Sequence, residues 1–166
     1  MLKVTVRSQL VGALLCAGVA ASAINPAAAE SSGPFQDLSG SWVGDGAVRG
    51  SNGDTQRLRC EAKYVANGDD GLDQDLQCSS DNYNFRFQVN LTSQGGAIVG
   101  NWRELTRNLE GGISGHGSKD LIQVVVRGQA FTASDSVTTH GSQQSVKIRS
   151  QSAEFSDVSM ALHRSH

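Results

Sequence analysis

The sequence predicts an all-β protein: an antiparallel up-and-down meander of about eight to ten strands, closed into a small barrel with one disulfide hairpin. Three observations support this prediction. Apolar and polar residues alternate with a period of two along most of the chain after residue 38. Turn signals rich in Gly, Asn, Asp and Ser separate these stretches, at intervals of roughly eight to fourteen residues. No stretch after residue 29 has the periodicity of an amphipathic helix.

The first 29 residues have the composition of a secretory signal peptide. A basic start with Lys3 and Arg7 precedes an apolar run over residues 10–23. Three alanines at positions 27–29 then supply small residues for cleavage before Glu30. Cleavage at that point predicts a periplasmic or secreted protein. The alternative is an uncleaved N-terminal anchor, although the apolar run is short for a membrane span.

Cleavage would change both the net charge and the cysteine count. The whole chain carries 14 basic and 16 acidic residues, and the segment removes two basic residues and no acidic one, so the net charge falls from −2 to −4. A mildly acidic protein without basic clusters is a poor partner for nucleic acid or anionic membranes, so we expect no nucleic-acid binding and no stable membrane insertion. Cys16 would leave with the segment. An even pair of cysteines in an exported chain favours a disulfide over a metal site or a catalytic thiol.

The remaining chain is long enough for one domain. Removing 29 of 166 residues leaves 137, a usual size for a single domain. Residues 30–38 are rich in Ser and include Gly33 and Pro34, so we expect a flexible lead-in there. Residues 39–166 contain no linker-like stretch and are expected to form the barrel domain.

The first strand is expected from residue 39 to residue 48. Its glycines at positions 40, 44 and 46 are typical of bends, bulges or close backbone approach. Residues 51–54, Ser-Asn-Gly-Asp, form a hairpin turn signal.

The next two strands contain the cysteine pair. They flank a turn at residues 67–71, and the pattern is symmetric about Asp69. Positions equidistant from Asp69 pair Cys60 with Cys78, and directly opposed residues of an antiparallel pair are close enough for a disulfide. The sequence therefore predicts a Cys60–Cys78 disulfide.

Two further strands carry aromatic residues. Residues 82–92 alternate cleanly and include Phe87, and residues 97–105 include Trp102. A four-residue turn at 93–96 would place Phe87 opposite Trp102, as an aromatic cross-strand pair.

Five more strands complete the barrel. They are expected at residues 108–118, 120–127 and 131–137, around Val146 and Ile148, and at residues 155–164. The first of them is glycine-rich and is expected to be strongly bent. The strands are too short and their outward faces too charged for an outer-membrane barrel. Closure of the meander would remove its exposed edges.

Several short motifs resemble known families. Gly40-x-Trp42 resembles the opening motif of the lipocalins and the wider calycin group, in which the tryptophan plugs the closed end of the barrel. The longer stretch over residues 40–46 is similar to the opening of the nitrobindin family, small barrels that hold haem, and residues 158–164 echo that family's last strand. The haem-ligating histidine of that family would align near Ser159, so the ligand is absent here, although His163 has the same parity.

The overall pattern also resembles a group of small exported proteins of Gram-negative bacteria without assigned activity. The motifs that carry this resemblance are Gly40-x-Trp42, Cys60 with Tyr64, residues 76–78, residues 100–104, Gly128 with Phe131, and residues 144–146. The resemblance covers nearly all of the mature chain and implies no chemistry.

Four residues are the candidate lining of a ligand cavity: Trp42, Phe87, Trp102 and Glu104. Trp102 and Glu104 share a parity, so an inward Trp102 requires an inward Glu104 nearer a rim. An inward carboxylate could orient a ligand or have a raised pKa. The alternative is that both tryptophans are core residues and that Glu104 pairs with an arginine or reaches water, because small barrels are often filled by side chains.

The sequence contains no recognisable catalytic motif or metal site, so we expect neither an enzyme nor a cofactor. Residues 112–117 are not a nucleophile elbow, because position 116 is His and no helix follows. The four histidines are scattered, and the two cysteines are assigned to a disulfide.

Three functional hypotheses follow from these features. The first is a carrier or sensor that binds a small apolar ligand inside the barrel. The second is an interaction or inhibitor module with a filled barrel that binds another envelope protein. The third, an enzyme using Glu104 or His116, requires a polar pocket that brings two titratable groups together.

Overall fold

A computed structural model describes residues 33–82, 84–151 and 154–165 of the chain. The proposed signal peptide and Cys16 lie outside these residues. The described part is a closed barrel of antiparallel strands, which confirms the predicted fold class. The strands are β1 Gly40–Gly50, β2 Thr55–Asn67, β3 Gly71–Ser79, β4 Asn84–Gln94, β5 Ala97–Glu104, β6 Leu109–Gly117, β7 Leu121–Arg127, β8 Thr132–His140, β9 Gln143–Ser150 and β10 Phe155–Ser165.

The barrel has the topology of a simple meander. Each strand pairs with the strands before and after it in sequence, and β10 pairs with β1 to close the sheet. The period-two pattern decides which side chains face inward: the alternate residues Leu58, Cys60, Ala62 and Tyr64 of β2 are buried, while the residues between them are exposed. Apolar residues of the other strands share this inward parity and form one continuous core.

The disulfide hairpin has the predicted register. Cys60 lies opposite Cys78, and the two residues form a disulfide with their Cα atoms 4.1 Å apart. Ala62 lies opposite Leu76. A covalent closure of this short loop stabilises the fold by roughly 3 kcal/mol in the loop-entropy model.

The predicted pairing of Phe87 with Trp102 is wrong by two residues. Phe87 lies opposite Glu104, and Trp102 lies opposite Val89. The strands are longer than expected, because Gln94 pairs with Ala97 and only Gly95 and Gly96 form the turn. Both glycines have positive φ, 57° and 83°, which suits the tight two-residue turns that match the twist of a hairpin.

The inward glycine at position 44 confirms the predicted close backbone approach. A Cβ at Gly44 would lie 2.0 Å from the carbonyl oxygen of Ala161 on β10, which no side chain can accept. Gly44 therefore allows β1 and β10 to coil tightly where the barrel closes.

We call one end of the barrel the plugged end, and define it by Phe35, Leu38, Trp42, Tyr64 and Arg164. A short 3₁₀ helix, Gln36–Leu38, immediately precedes β1 here. Its segment bonds to the turns of this end: the side-chain amide of Gln36 donates to Asp69, and Lys119 pairs with Asp37 at 3.3 Å. The segment thus spans the end of the barrel and covers its core.

This segment includes the end of the expected lead-in. Within residues 33–38, Phe35 is 0% exposed and Leu38 is 2% exposed, so both side chains are packed against the barrel core. In the described part of the chain, no helix has the length and apolar character needed to cross a membrane.

We call the opposite end the aromatic end, and define it by Phe85, Phe87, Trp102, Phe131 and Phe155. The turns that follow β1, β3, β5, β7 and β9 lie here. One end of the barrel is thus covered by the segment that precedes β1, and the other end carries a group of aromatic side chains. The candidate site lies at the aromatic end.

Candidate functional site

Trp42 is a structural residue of the plugged end. Its indole N–H donates to the carbonyl oxygen of Leu38 at 2.8 Å, and its ring meets the edge of Tyr64 with centroids 6.4 Å apart. The guanidinium of Arg164 lies over the Trp42 ring, 4.6 Å from the centroid, and donates to the carbonyls of Ser39 and Asp37. Trp42 is fully buried in these contacts, so it closes the barrel and does not line an accessible surface.

Phe87 and Trp102 belong to a continuous series of aromatic rings at the other end. Neighbouring centroids in the series are 5.6 to 6.4 Å apart, within the usual range for aromatic pairs; in order, the rings are Phe85, Phe87, Trp102, Phe131 and Phe155. Trp102 is 4% exposed and its indole N–H donates to the carbonyl of Arg127 at 3.1 Å, so it fixes the centre of the series. The four phenylalanines remain partly exposed.

Glu104 faces inward at the rim, on the same parity as Trp102, as predicted. It is 2% exposed, and its carboxylate accepts hydrogen bonds from the backbone N–H groups of Thr106 at 2.9 Å, Arg107 at 2.6 Å and Arg86 at 3.4 Å. Burial alone would raise the pKa of Glu104, but a hydrogen bond from the Thr106 side chain and these backbone hydrogen bonds outweigh it, and the net pKa is lowered. Glu104 therefore stays ionised and stabilises the β5–β6 turn.

A polar cluster lies inside the barrel near the plugged end. The hydroxyl of Tyr64 donates to the side-chain oxygen of Gln144 at 2.8 Å and accepts from Gln74 at 3.4 Å. The amide of Gln144 also donates to Thr139 at 3.2 Å. These groups satisfy one another in the interior, as buried polar side chains require.

Asp135 also points into the barrel, and its environment is different. Its neighbours across the sheet are Val124 on β7 and Ile148 on β9, both apolar. Its Oδ1 atom is buried and has no hydrogen-bond partner among the described residues. Burial raises the pKa of Asp135 to about 7, and a hydrogen bond from the Ser136 backbone N–H acts in the opposite direction. Tyr64 also has a raised pKa, mainly from its own burial and secondarily from the Asp135 charge.

The inner wall of the barrel is not uniformly buried. Several side chains that face inward are partly exposed: Val48, Gln74, Val89, Leu91, Val126, Val137 and Ile148. Val126 and Ile148 lie toward the aromatic end, whereas Gln74 belongs to the polar cluster and Leu91 lies closer still to the plugged end. Asp135 shares this inward parity and is itself only partly buried as a residue, although its Oδ1 atom is buried.

Other surface features are weaker candidates. A hollow of about 600 Å³ lies across the outer faces of β4, β5 and β6, but its lining is polar and its two charged side chains, Arg103 and Glu110, already pair with each other at 3.1 Å. A second hollow of about 440 Å³ lies beside the plugged end. Over residues 33–82, 84–151 and 154–165, no group of three His, Cys, Asp or Glu side chains is arranged to hold a metal ion.

The sequence reasoning missed two parts of this arrangement. Phe131 and Phe155 come together with Trp102 only through the register of the closed sheet, which spacing along the chain does not reveal. Asp135, in contrast, left a signal: it shares the parity of Ala133 and Val137 in a predicted strand. An acidic residue at a position where the alternating pattern of a strand predicts an inward apolar residue can be detected from the sequence.

No protein-family model and no curated protein sequence matches this chain. Solved structures do match. The crystal structure of Rv2717c from M. tuberculosis superposes with a TM-score of 0.66 at 15% identity, covering 80% of this chain and 95% of that one. The S-type phycobiliprotein lyase CPES from Guillardia theta gives a TM-score of 0.51 at 11% identity, covering 80% and 90%. EF1p2_mFAP2b bound to DFHBI also gives 0.51 at 11%, covering 81% and 99%. At these identities the likenesses establish one thing, a shared β-barrel fold.

Proposed function

We propose that this protein is an exported, non-enzymatic barrel that binds a small apolar ligand through its aromatic end, as a carrier or sensor of the cell envelope. The observation that carries the proposal is the series of five contacting rings, four of them partly exposed, at one end of a barrel whose other end is plugged. Aromatic side chains with partial exposure are typical linings of small-molecule sites.

The partly buried apolar side chains on the inner wall support the same proposal. A ligand entering at the aromatic end would reach Val126 and Ile148 before it met the polar cluster. Burying apolar ligand surface against such side chains contributes roughly 25 cal/mol per Å². One structure of the same fold holds DFHBI, which agrees with a barrel of this kind accepting a small molecule.

Binding of a neutral fluorescent probe, N-phenyl-1-naphthylamine, to the mature protein tests the proposal. We expect saturable binding that Phe87→Ala weakens by at least about fivefold, because that variant removes the ring that joins Phe85 to Trp102. Val99→Ala is the matched control, since Val99 is an outward apolar residue of β5 with 57% exposure. Absence of saturable binding, or equal weakening by both variants, would reject the ligand-binding role.

The alternative is an envelope interaction module with a filled barrel. Leu105 on the β5–β6 turn and Leu109 at the start of β6 favour it, because they are 40% and 44% exposed beside the aromatic end. Native mass spectrometry of protein purified from its own periplasm separates the two roles: a co-purifying small molecule selects the carrier, and a co-purifying protein with no small molecule selects the module.

Export is a separate part of the proposal, supported by the basic, apolar and alanine-rich segments of the first 29 residues. N-terminal sequencing of the periplasmic protein should begin at Glu30. An intact Met1 on the purified protein would instead support the uncleaved anchor.

A further inference from the structure

In the described part of the chain, Asp135 is the one charged side chain on the inner wall of the barrel that has a carboxylate oxygen without a hydrogen-bond partner. Its Oδ1 atom is buried without a hydrogen-bond partner, between the apolar side chains of Val124 and Ile148. A buried polar atom without a partner costs free energy, so native structures rarely retain one unless a missing group satisfies it.

No described residue supplies that missing group. Two other charged side chains face the interior, and both are already used: Glu104 accepts three backbone hydrogen bonds, and Arg164 lies over Trp42 with its donors on backbone carbonyls. Tyr64 donates its hydroxyl proton to Gln144. The inward residues of the flanking strands β7 and β9 carry no ionisable group, so nothing described neutralises the carboxylate.

The position of Asp135 joins it to the aromatic end. Within β8 it is the second inward residue from that end, after Ala133, and Phe131 directly precedes the strand. Ile148, its partner across the sheet, is partly exposed on the same wall, as is Val126 beside Ala133. A ligand held by the aromatic rings would therefore extend an attached polar group toward Oδ1.

We propose that the ligand is an aromatic or apolar molecule bearing a protonated amine, and that this amine pairs with the Oδ1 atom of Asp135. The inference rests on the proposed function and deepens it by naming the ligand class. A protonated amine supplies the two things that the Asp135 carboxylate lacks, a hydrogen-bond donor and a positive counter-charge. An anionic ligand would instead be repelled by the negative charge of this carboxylate, which the apolar wall does not screen.

The titration of Asp135 gives this pairing a pH dependence. Because burial raises the pKa of Asp135 to about 7, its carboxyl group is partly protonated at neutral pH in the ligand-free protein and becomes fully ionised at higher pH. An alkyl amine stays cationic across this range, so its affinity should rise as the carboxylate ionises. Tyr64 and Glu104 do not change charge in this range, since the pKa of Tyr64 is raised and that of Glu104 is lowered.

Three probes with one ring system test the proposal: 1-naphthylmethylamine, 1-naphthylmethanol and 1-naphthylacetate, titrated calorimetrically into the mature protein. At about pH 8 we expect the amine to bind at least about tenfold more tightly than the alcohol, and the acid to bind most weakly. Asp135→Asn should reduce amine affinity to that of the alcohol and leave alcohol binding unchanged. Asp45→Asn, which removes an exposed acid from the outer face of β1, should change neither.

The outcomes separate the two proposals. Equal binding of amine and alcohol, or an amine preference that survives Asp135→Asn, would overturn the amine inference and leave apolar ligand binding intact. Failure of all three probes to bind would overturn both. If Asp135→Asn is misfolded by circular dichroism, ¹³C NMR of the wild-type carboxyl decides: the amine must lower the pKa of Asp135, and an unchanged pKa in the amine-saturated protein rejects the pairing.

Discussion

The two ends of this barrel each have one buried tryptophan, and they differ in how exposed the remaining aromatic rings are. At the plugged end, Trp42 donates a hydrogen bond to Leu38, meets the edge of Tyr64 and lies under the guanidinium of Arg164. At the aromatic end, the four phenylalanines contact other rings and remain partly exposed. The first arrangement satisfies every polar atom of its tryptophan, and the second leaves ring surface available.

This difference teaches where the barrel gains stability and where it keeps a surface for binding. A fully buried ring with a satisfied N–H contributes its whole apolar area to folding. A partly exposed ring contributes less to folding and retains area that a ligand can bury. Substitutions at the two ends should therefore separate stability from binding.

The largest expected effect is on stability at the plugged end. Trp42→Ala should lower the free energy of unfolding by about 3 to 5 kcal/mol, because it leaves a large cavity against the core. Phe87→Ala should lower it by only about 1 to 2 kcal/mol, because that ring is partly exposed. Urea unfolding of both variants measures the difference, and equal losses would contradict the distinction between the two ends.

The next effect concerns Asp135, on the wall between the two ends. Burial raises its pKa from 3.8 to about 7, so between these values the folded protein holds a proton that the unfolded chain has released. The stability of the ligand-free wild type should therefore fall as pH rises through this window, by about 4 kcal/mol at most. Asp135→Asn cannot ionise, so it should be more stable than wild type at about pH 8 and similar near pH 4.

Urea unfolding across this pH range, with Asp45→Asn as control, checks the prediction. The control should follow the wild-type pH profile, because Asp45 is exposed. If the free energy of unfolding of Asp135→Asn changed with pH in parallel with that of wild type, the carboxylate of Asp135 would have to be solvated by water.

The smallest expected effect compares two arginines. Arg164→Gln removes the cation over Trp42 and two charged hydrogen bonds to backbone carbonyls, and should cost about 2 kcal/mol. Arg103→Gln removes an exposed ion pair with Glu110 on the outer face of β5 and should leave the melting temperature unchanged. Similar shifts for both variants would show that the contact with Trp42 adds nothing beyond surface charge.

Much of the fold was predictable because local patterns decide it. The alternation of β2 and the symmetric turn around Asp69 predicted the Cys60–Cys78 pair to the residue. The β4–β5 register failed because Ser93 and Gln94 read as turn residues, while Gly95 and Gly96 alone supply the positive φ that the turn needs.

The candidate site was less predictable because it depends on closure. The sequence placed Phe87, Trp102 and Glu104 on the inward face, but it did not show that the Glu104 carboxylate is bound by backbone N–H groups. It also grouped these residues with Trp42, which lies at the opposite end of the barrel. The contact of Trp102 with Phe131 requires the strands between them to curve. Spacing along the chain contains no information about that curvature.

The meander also has a kinetic consequence. Nine of its strand pairings join consecutive strands, whereas the pairing of β1 with β10 joins Ser41 to Ser165 across nearly the whole domain. Because this pairing has by far the largest sequence separation and depends on the other strands being in place, the seam should form late in folding. Until it forms, β1 and β10 both present unpaired edges to other chains. The early interval of folding is thus when this protein is most exposed to aggregation, and the pairing of β1 with β10, which the missing side chain of Gly44 permits, ends it.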